Sequence, residues 1–180
     1  WNDALTDFHE EISQGHHPID EASFNCAMKH VQYIYSARER EREREREMSV
    51  LEIGCSSGYF LEHLLKWKPS LHITGADIIE QPLYRLADRM AQKDRPIPLL
   101  RFDIGSCPLY SASQDIVVAL NVLEHIEDDE KAIKEIHRIL KPGGAFIFEV
   151  PAGPSLYDKY DAELHHYRRY RSSELEKILI

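Results

Sequence analysis

The sequence predicts an α/β fold with a parallel sheet in the strand order 3-2-1-4-5 and helices on both faces. Short apolar runs alternate with helix-like patterns between residues 50 and 150, as expected where each strand is followed by a covering helix. The run 115–120 is apolar almost throughout, which is typical of a strand buried on both sides. Right-handed crossovers between such strands give the predicted sheet.

Local signals place the individual elements of this fold. Strands are predicted at residues 50–53, 71–76, 99–102, 115–120 and 145–150. Helices are predicted to begin near Ser57, at Pro82 and after Asp128, which can cap the third of them. The glycine pair in 141–144 is expected to end that third helix, and Ser173 with Glu176 is a candidate capping box for a last helix.

A glycine-containing turn links the first predicted strand to its helix. Gly54 and Gly58 allow positive φ angles and close approach of a ligand to the backbone. A strand, a turn and a helix N-terminus in this order commonly form a ligand site. Glu52 adds a carboxylate at the end of the strand. An ordinary strand–helix turn, with glycines needed for geometry alone, is the alternative.

Polar residues follow the other predicted strands as well. Asp77, Asp103 and the segment 121–125 each come directly after a strand. The carboxyl ends of parallel strands meet at one edge of the sheet, where ligands of α/β proteins bind. Four of the five strand ends therefore bring polar or acidic groups to one rim.

The acidic rim favours a nucleoside ligand without a diphosphate. Asp77 is placed to accept hydrogen bonds from ribose hydroxyls, and Asp103 from an adenine amino group, with Ile104 against the ring. Ser56 stands where a dinucleotide-binding turn needs its middle glycine, and the turn has no basic side chain. S-adenosylmethionine, with its sulfonium, amino group and ribose, suits such a rim. An NAD(P)-dependent oxidoreductase is the less favoured alternative.

The chain resembles the class I S-adenosylmethionine-dependent methyltransferases, a family with a Rossmann-like fold. The resemblance covers residues 50 to about 151 in the family's order, and a tail motif adds to it. It rests on the segments 50–58, 75–78, 115–118, 122–126 and 140–144, and on His166–Tyr167–Arg168–Arg169–Tyr170.

The resemblance implies methyl transfer to a small-molecule acceptor, on oxygen or nitrogen, with S-adenosylmethionine as the cofactor. A non-catalytic cofactor-binding or scaffold module of the same fold is the alternative. The cofactor-binding residues implied are Glu52, Gly54, Cys55, Gly58, Asp77, Ile78, Asp103, Ile104, Asn121 and Leu123.

Removal of a proton from the acceptor requires a base, and the candidates are His125, His165 and His166, of which His125 and His166 are preferred. Each of these two could instead have a purely structural role. No metal is expected, because Asn121 replaces the first glutamate of the metal-binding Glu-x-x-Glu-His run found in one branch of the family. Arg168, Arg169 and Arg171 could meet an anionic substrate or could be paired with carboxylates on the surface.

The sequence predicts a single domain with four segments. Residues 1–37 should form helices, with Leu5, Phe8 and Ile12 on one face of the first, and the Arg–Glu alternation in 38–47 should form a solvated spacer. Residues 48–151 should form the cofactor-binding core, and 152–180 a substrate-side loop and helix. The family's two C-terminal strands are not expected within residues 152–180, so the fifth strand should form an apolar edge suited to dimer formation.

Composition excludes several other classes of protein. The net charge of −9 disfavours a nucleic-acid surface, and no run of apolar residues is long enough for a membrane span. The three cysteines are far apart, as expected for reduced thiols in a cytoplasmic protein.

Overall fold

In the computed structural model, which describes residues 18–40, 47–92 and 96–179, five strands alternate with helices, except that a segment with one 3₁₀ turn (Ile104–Ser106) joins the third strand to the fourth. The helix predicted around Leu5, Phe8 and Ile12 lies outside the described residues. The strands are β1 (Ser49–Ile53), β2 (His72–Asp77), β3 (Leu99–Arg101), β4 (Gln114–Leu120) and β5 (Leu140–Glu149). The helices are α1 (Pro18–Arg40), α2 (Tyr59–Trp67), α3 (Glu80–Ala91), α4 (Asp129–Ile139), α5 (Lys159–Glu163) and α6 (Ser172–Ile178).

The five strands form one parallel sheet in the order β3-β2-β1-β4-β5, which confirms the predicted fold class and strand order. In this register Ile53 of β1 lies opposite Ala76 of β2 and Ala119 of β4. The three strands therefore end at nearly the same level. Whatever follows each of them lies along one rim of the sheet.

Alternate residues of the central strands belong to two separate hydrophobic cores, because successive side chains of a strand point to opposite faces of the sheet. Val50 packs with helices α1, α2 and α3 on one face, through residues such as Leu61 and Leu86. Leu51 and Ile53 pack on the other face, mainly with α4. Helices thus cover both faces of the sheet.

A buried carboxylate fastens α1 to the end of the sheet opposite the rim. Asp115 at the start of β4 accepts hydrogen bonds from the backbone N–H and the hydroxyl of Ser49, at 2.9 and 2.7 Å. It also pairs with Arg38 and Lys141. Arg38 is the first residue of the Arg–Glu alternation, so the expectation of a spacer from residue 38 was wrong at its start. Residues 38–40 complete α1, and 41–46 lie outside the described residues.

Three other local expectations were wrong. The helix after the glycine turn begins at Tyr59 rather than near Ser57. The segment 141–144 lies within β5, because Leu140 already pairs with Gln114 before an irregularity in the register. At α6 the carboxylate of Glu174 accepts from the backbone N–H of Arg171 at 3.3 Å, so Ser173 and Glu176 do not form the capping box.

Among the described residues β5 is an edge strand, and no helix among them is long and apolar enough to cross a bilayer. Dimer formation through β5 stays a prediction.

Candidate active site

A cavity of about 470 Å³ opens at the rim where β1, β2 and β4 end. The segments after these strands form its floor, and Ser23 and Phe24 place α1 in its wall. Its volume lies within the range of roughly 300–1,000 Å³ that holds small molecules. Most of the predicted site residues line it: Glu52, Gly54, Cys55, Asp77, Ile78, Asp103, Ile104, Asn121, His125 and His166.

The glycine turn after β1 uses its own N–H groups internally. Gly54 and Cys55 donate to the carbonyl of Ala76, at 2.8 and 3.0 Å. Ser56 donates to the Asp77 carboxylate at 2.9 Å, and Gly58 donates to the Cys55 carbonyl at 2.7 Å. A dinucleotide site needs such donors for its pyrophosphate. The turn therefore suits a ligand without a diphosphate.

The two glycines of the turn are needed for different reasons besides their positive φ angles of 72° and 75°. A Cβ on Gly54 would lie 2.5 Å from Cγ2 of Val122, in the segment after β4. A Cβ on Gly58 would lie 2.4 Å from Cδ1 of Leu86 on α3. Gly58 thus allows α2 and α3 to pack closely. Its contact with a cofactor stays a prediction.

Glu52 is a buried carboxyl beside this turn, and its side chain is 4% exposed. Among the described residues its Oε2 atom has no hydrogen-bond partner. Burial, together with the nearby Asp77 carboxylate, raises the pKa of Glu52 well above its usual range. A buried, unpaired oxygen is costly, and a donor or cation from a ligand would remove that cost.

Asp77 joins the turn to the end of β2. Its two oxygens accept hydrogen bonds from the backbone N–H groups of Ser56 and Ile79, each at 2.9 Å. Burial raises the pKa of Asp77, and these hydrogen bonds lower it only in part. Since each carboxylate oxygen can accept more than one hydrogen bond, ribose hydroxyls can still bind here.

Three further predicted residues surround the same end of the cavity. Asp103 accepts a hydrogen bond from the backbone N–H of Gly105 at 2.8 Å, and the neighbouring Ile104 is buried. Ile78 is 49% exposed at the rim, which is unusual for a large apolar side chain. An aromatic ring between Ile78 and Ile104 would cover both. Leu123, by contrast, is 1% exposed and belongs to the core on the α4 face.

The segments after β4 and β5 supply what we call the β4–β5 end of the cavity, formed by Glu124, His125, Glu149, Tyr160 and His166. Glu124 is 1% exposed, and its Oε2 atom has no partner among the described residues. Burial and the nearby carboxylates of Glu149 and Asp161 raise the pKa of Glu124 to about 8. Asn121 precedes this segment with a φ of 53°, a conformation that asparagine tolerates.

The two candidate bases, His125 and His166, lie side by side. Their rings make an edge-to-face contact with centroids 4.7 Å apart. Nδ1 of His166 lies 2.9 Å from the carboxylate of Asp161, which is fully buried. Arg169 donates to both oxygens of that carboxylate at 2.8 Å. With its Nδ1 donating to Asp161, the ring of His166 would carry a lone pair on Nε2.

The arginines of the tail are paired with other groups. Arg168 binds Asp129 and the carbonyl of Glu127, Arg169 binds Asp161, and Arg171 binds Glu174. None of the three is among the described residues that line the cavity. Of the two sequence interpretations, the carboxylate-paired one is therefore confirmed.

Metal ligands could come from one group among the described residues. Glu124, His125 and His166 place potential ligand atoms within 4.8 Å of one another. Asn121 in place of a glutamate led to the expectation of no metal, and nothing in the sequence indicates that His166 approaches Glu124 and His125. Glu124 lies in the predicted rim segment 121–125, whereas Glu149 and the aromatic residues of the wall were missed, since only the fold brings them to the cavity.

Comparison with known proteins identifies the family. The family described as "Methyltransferase domain" matches residues 51–148, more than half of the chain. The "Uncharacterized methyltransferase YdaC" of Bacillus subtilis is 35% identical over 96 residues, which cover 53% of this chain and 52% of that protein. A "Probable S-adenosylmethionine-dependent methyltransferase" of Mycolicibacterium smegmatis is 29% identical over 132 residues, covering 72% of this chain and 49% of that protein. The chain thus spans about half the length of these curated relatives.

Solved structures share the fold. The YcgJ protein of Bacillus subtilis has a TM-score of 0.64 at 21% identity, over 82% of this chain and 66% of its own. Phosphoethanolamine N-methyltransferase 2 of Haemonchus contortus, solved with S-adenosyl-L-methionine, has a TM-score of 0.66 at 21% identity, over 82% of this chain and 35% of its own. The predicted resemblance is confirmed: the chain belongs to the class I S-adenosylmethionine-dependent methyltransferases.

Proposed function

We propose that the chain binds S-adenosylmethionine in the rim cavity and transfers its methyl group to a small-molecule acceptor. The observation that carries this proposal is the unpartnered Oε2 atom of Glu52, buried beside a turn whose N–H groups are already used. Such an oxygen suits the amino group of the cofactor. When bound, the cofactor supplies an electrophilic methyl group on a sulfonium.

The residues of β1, β2 and β3 hold the cofactor in this proposal. Glu52, Gly54 and Cys55 surround its methionine part, and Asp77 accepts from its ribose hydroxyls. Ile78 and Ile104 sandwich the adenine, beside Asp103. Burial, then the carboxyls of Glu52 and Asp77, raise the pKa of the Cys55 thiol, so that it stays neutral and unreactive.

The two histidines act on the methyl acceptor rather than on the cofactor. His166, oriented by Asp161, accepts the proton that an oxygen or nitrogen acceptor loses as it is methylated. His125 packs against the His166 ring and limits its rotation. Glu124 and Glu149 lie at the same end of the cavity and contact the acceptor. Positioning and exclusion of water supply most of the catalysis, since the cofactor carries the reactivity.

Calorimetric titration with S-adenosylhomocysteine and with NAD tests the binding step. The proposal expects the first to bind at one site per chain and the second not to bind. Mass spectrometry then follows a deuterated methyl group from S-adenosylmethionine into a pool of small molecules. Binding without transfer would favour a non-catalytic module, and binding of NAD alone would overturn the proposal.

Replacement of Asp77 tests the site by mutation. Asp77→Ala should weaken S-adenosylhomocysteine binding by about 1–3 kcal/mol, since ribose hydroxyls lose their acceptor and the turn loses its support. Asp88→Ala, on the exposed face of α3, is the matched control and should bind normally. Unchanged affinity in Asp77→Ala would remove this residue from the cofactor site.

A further inference from the structure

The cavity is lined by acids and lacks a basic counterpart. Its described lining includes Glu52, Asp77, Asp103, Glu124 and Glu149, and no lysine or arginine. The first three follow or end strands on the β1–β3 side, where the proposed cofactor site lies. Glu124 lies in the segment after β4 and Glu149 ends β5, and both strands are on the other side of β1 in the sheet order. Two carboxyls are thus left for the acceptor.

These two carboxyls are held in different ways. Glu149 accepts a hydrogen bond from the hydroxyl of Ser23 on α1, at 2.7 Å. Glu124 is buried, with one oxygen unpartnered among the described residues. A buried oxygen without a partner is costly, and the N–H groups of an ammonium would supply the missing hydrogen-bond donors.

Aromatic rings lie in the same wall. Phe24 of α1 contacts the ring of Tyr59, with centroids 5.0 Å apart, and both line the cavity together with Tyr160. Faces of aromatic rings attract organic cations, and they also exclude water from a carboxylate–cation pair. Acidic and aromatic groups together are the usual environment of a bound ammonium.

We propose that the methyl acceptor is an amine that is cationic at neutral pH, with its ammonium group held between Glu124 and Glu149. This inference rests on the proposed function and names its substrate class. The ammonium gives one proton to Nε2 of His166. The freed nitrogen lone pair then forms a bond to the methyl carbon as the carbon–sulfur bond breaks and leaves its electron pair on sulfur.

A divalent metal ion is the rival occupant, since Glu124, His125 and His166 could approach one. Two features favour the amine. Glu149, which is not part of that group, adds a second carboxyl on the same side. The aromatic wall suits the apolar body of an organic cation and offers nothing to a metal ion.

Matched probes test the inference on the chain saturated with S-adenosylhomocysteine. Benzylamine, benzyl alcohol and benzoate differ mainly in charge, and calorimetry gives the affinity of each. Benzylamine should bind at least about tenfold more tightly than the alcohol. Glu124→Gln should remove this preference while leaving S-adenosylhomocysteine binding unchanged, whereas Glu127→Gln, at an exposed neighbouring position, should keep it.

The outcomes separate the two proposals. If S-adenosylhomocysteine does not bind, the proposed function itself fails. If it binds but benzoate or the alcohol equals benzylamine, or none of the three binds, the amine inference is overturned and the proposed function stands. Stoichiometric binding of Zn²⁺ or Mn²⁺ that Glu124→Gln abolishes would also overturn it, in favour of a metal site. Glu149→Gln repeats the test should Glu124→Gln alter the fold.

Discussion

Asp161 is a fully buried carboxylate whose partners fix one imidazole ring. Burial raises its pKa, but the N–H of Asp158 and the side chains of His166 and Arg169 outweigh burial and lower it. The carboxylate therefore stays ionised and accepts the Nδ1 proton of His166. Asp161 does not line the cavity among the described residues and acts through His166, as a positioning residue.

Asp161→Asn should reverse the tautomer of His166, because the amide of asparagine can donate to Nδ1 and force the proton onto Nε2. Nitrogen-15 shifts of the ring would report the change directly. Methyl transfer should fall by roughly 10²-fold, in kcat, with little change in cofactor affinity. Asp88→Asn is the control. An unchanged tautomer together with an unchanged rate would exclude the positioning role.

Glu124 should make stability depend on pH. Its pKa is raised to about 8 in the folded chain, so the unfolded chain loses this proton at lower pH than the folded one. The stability that protonated Glu124 contributes is complete below its unfolded pKa, near 4.5, and is lost as pH rises towards 8. Glu52 and Asp77 change the stability with pH in the same direction. Their effect is the same in a Glu124 variant, so it cancels when the variant is compared with the native chain.

Urea unfolding at several pH values would measure this contribution. Glu124→Gln keeps the shape of the side chain and cannot ionise. The free energy of unfolding of this variant, minus that of the native chain, should rise by roughly 3–5 kcal/mol between pH 4.5 and pH 8. A difference that does not vary with pH would show that Glu124 ionises normally in the folded chain.

At the scale of elements, close packing of α2 against α3 depends on Gly58. Gly58→Ala should lower the free energy of unfolding by roughly 1–3 kcal/mol, because the new Cβ meets Leu86 and the φ angle is positive. Urea unfolding of Gly58→Ala in the native and the Leu86→Ala background would separate the two causes. We expect Gly58→Ala to lower the free energy of unfolding less in the Leu86→Ala background. No loss of stability in either background would contradict the close packing of α2 against α3.

The attachment of α1 to the sheet depends on Asp115. Burial raises the pKa of Asp115, but hydrogen bonds from Lys141, Ser49 and Arg38 hold it well below its usual range. Ionised Asp115 therefore stabilises the fold at pH values above its pKa in the unfolded chain, near 4, and this contribution is lost as the pH falls.

Asp115→Asn should therefore destabilise the chain at neutral pH by roughly 3 kcal/mol, since it leaves two cations without their carboxylate. The difference from the native chain should shrink below pH 4, because Asp115 then binds a proton in the unfolded native chain while it is still ionised in the folded one. Thermal unfolding at pH 7 and pH 3 would show this. Equal destabilisation at both pH values would mean that charge is not the cause.

Sequence patterns predicted the elements best where burial is periodic. The β1 turn, the strand order and the cap at Asp128, which accepts from the Lys131 N–H at 3.0 Å, all follow from local signals. Segment 141–144 was assigned wrongly because its glycines favour a break, whereas pairing with β4 makes it a strand. Asp161 was missed because residues 152–170 have no periodicity, so that its contact with His166 is visible only in the fold.

For the whole molecule, the distribution of charge is as informative as the fold. The formal net charge of −9 counts five carboxyls along the cavity as ionised, while the tail arginines pair with acids outside its lining. The sequence located the strand-end acids of β1 to β3, because each lies at or shortly after the end of its strand. It did not locate Glu149, whose place beside Ser23 depends on the packing of α1 against β5.

A crystal structure of the chain with S-adenosylhomocysteine would test the central claim most directly, namely that the carboxyls at the ends of β1 and β2 bind a nucleoside of this kind. The account predicts the amino group within hydrogen-bond distance of Glu52 and the ribose hydroxyls within hydrogen-bond distance of Asp77, with the adenine between Ile78 and Ile104. A ligand bound elsewhere, or a nicotinamide dinucleotide bound across the glycine turn in its place, would contradict it.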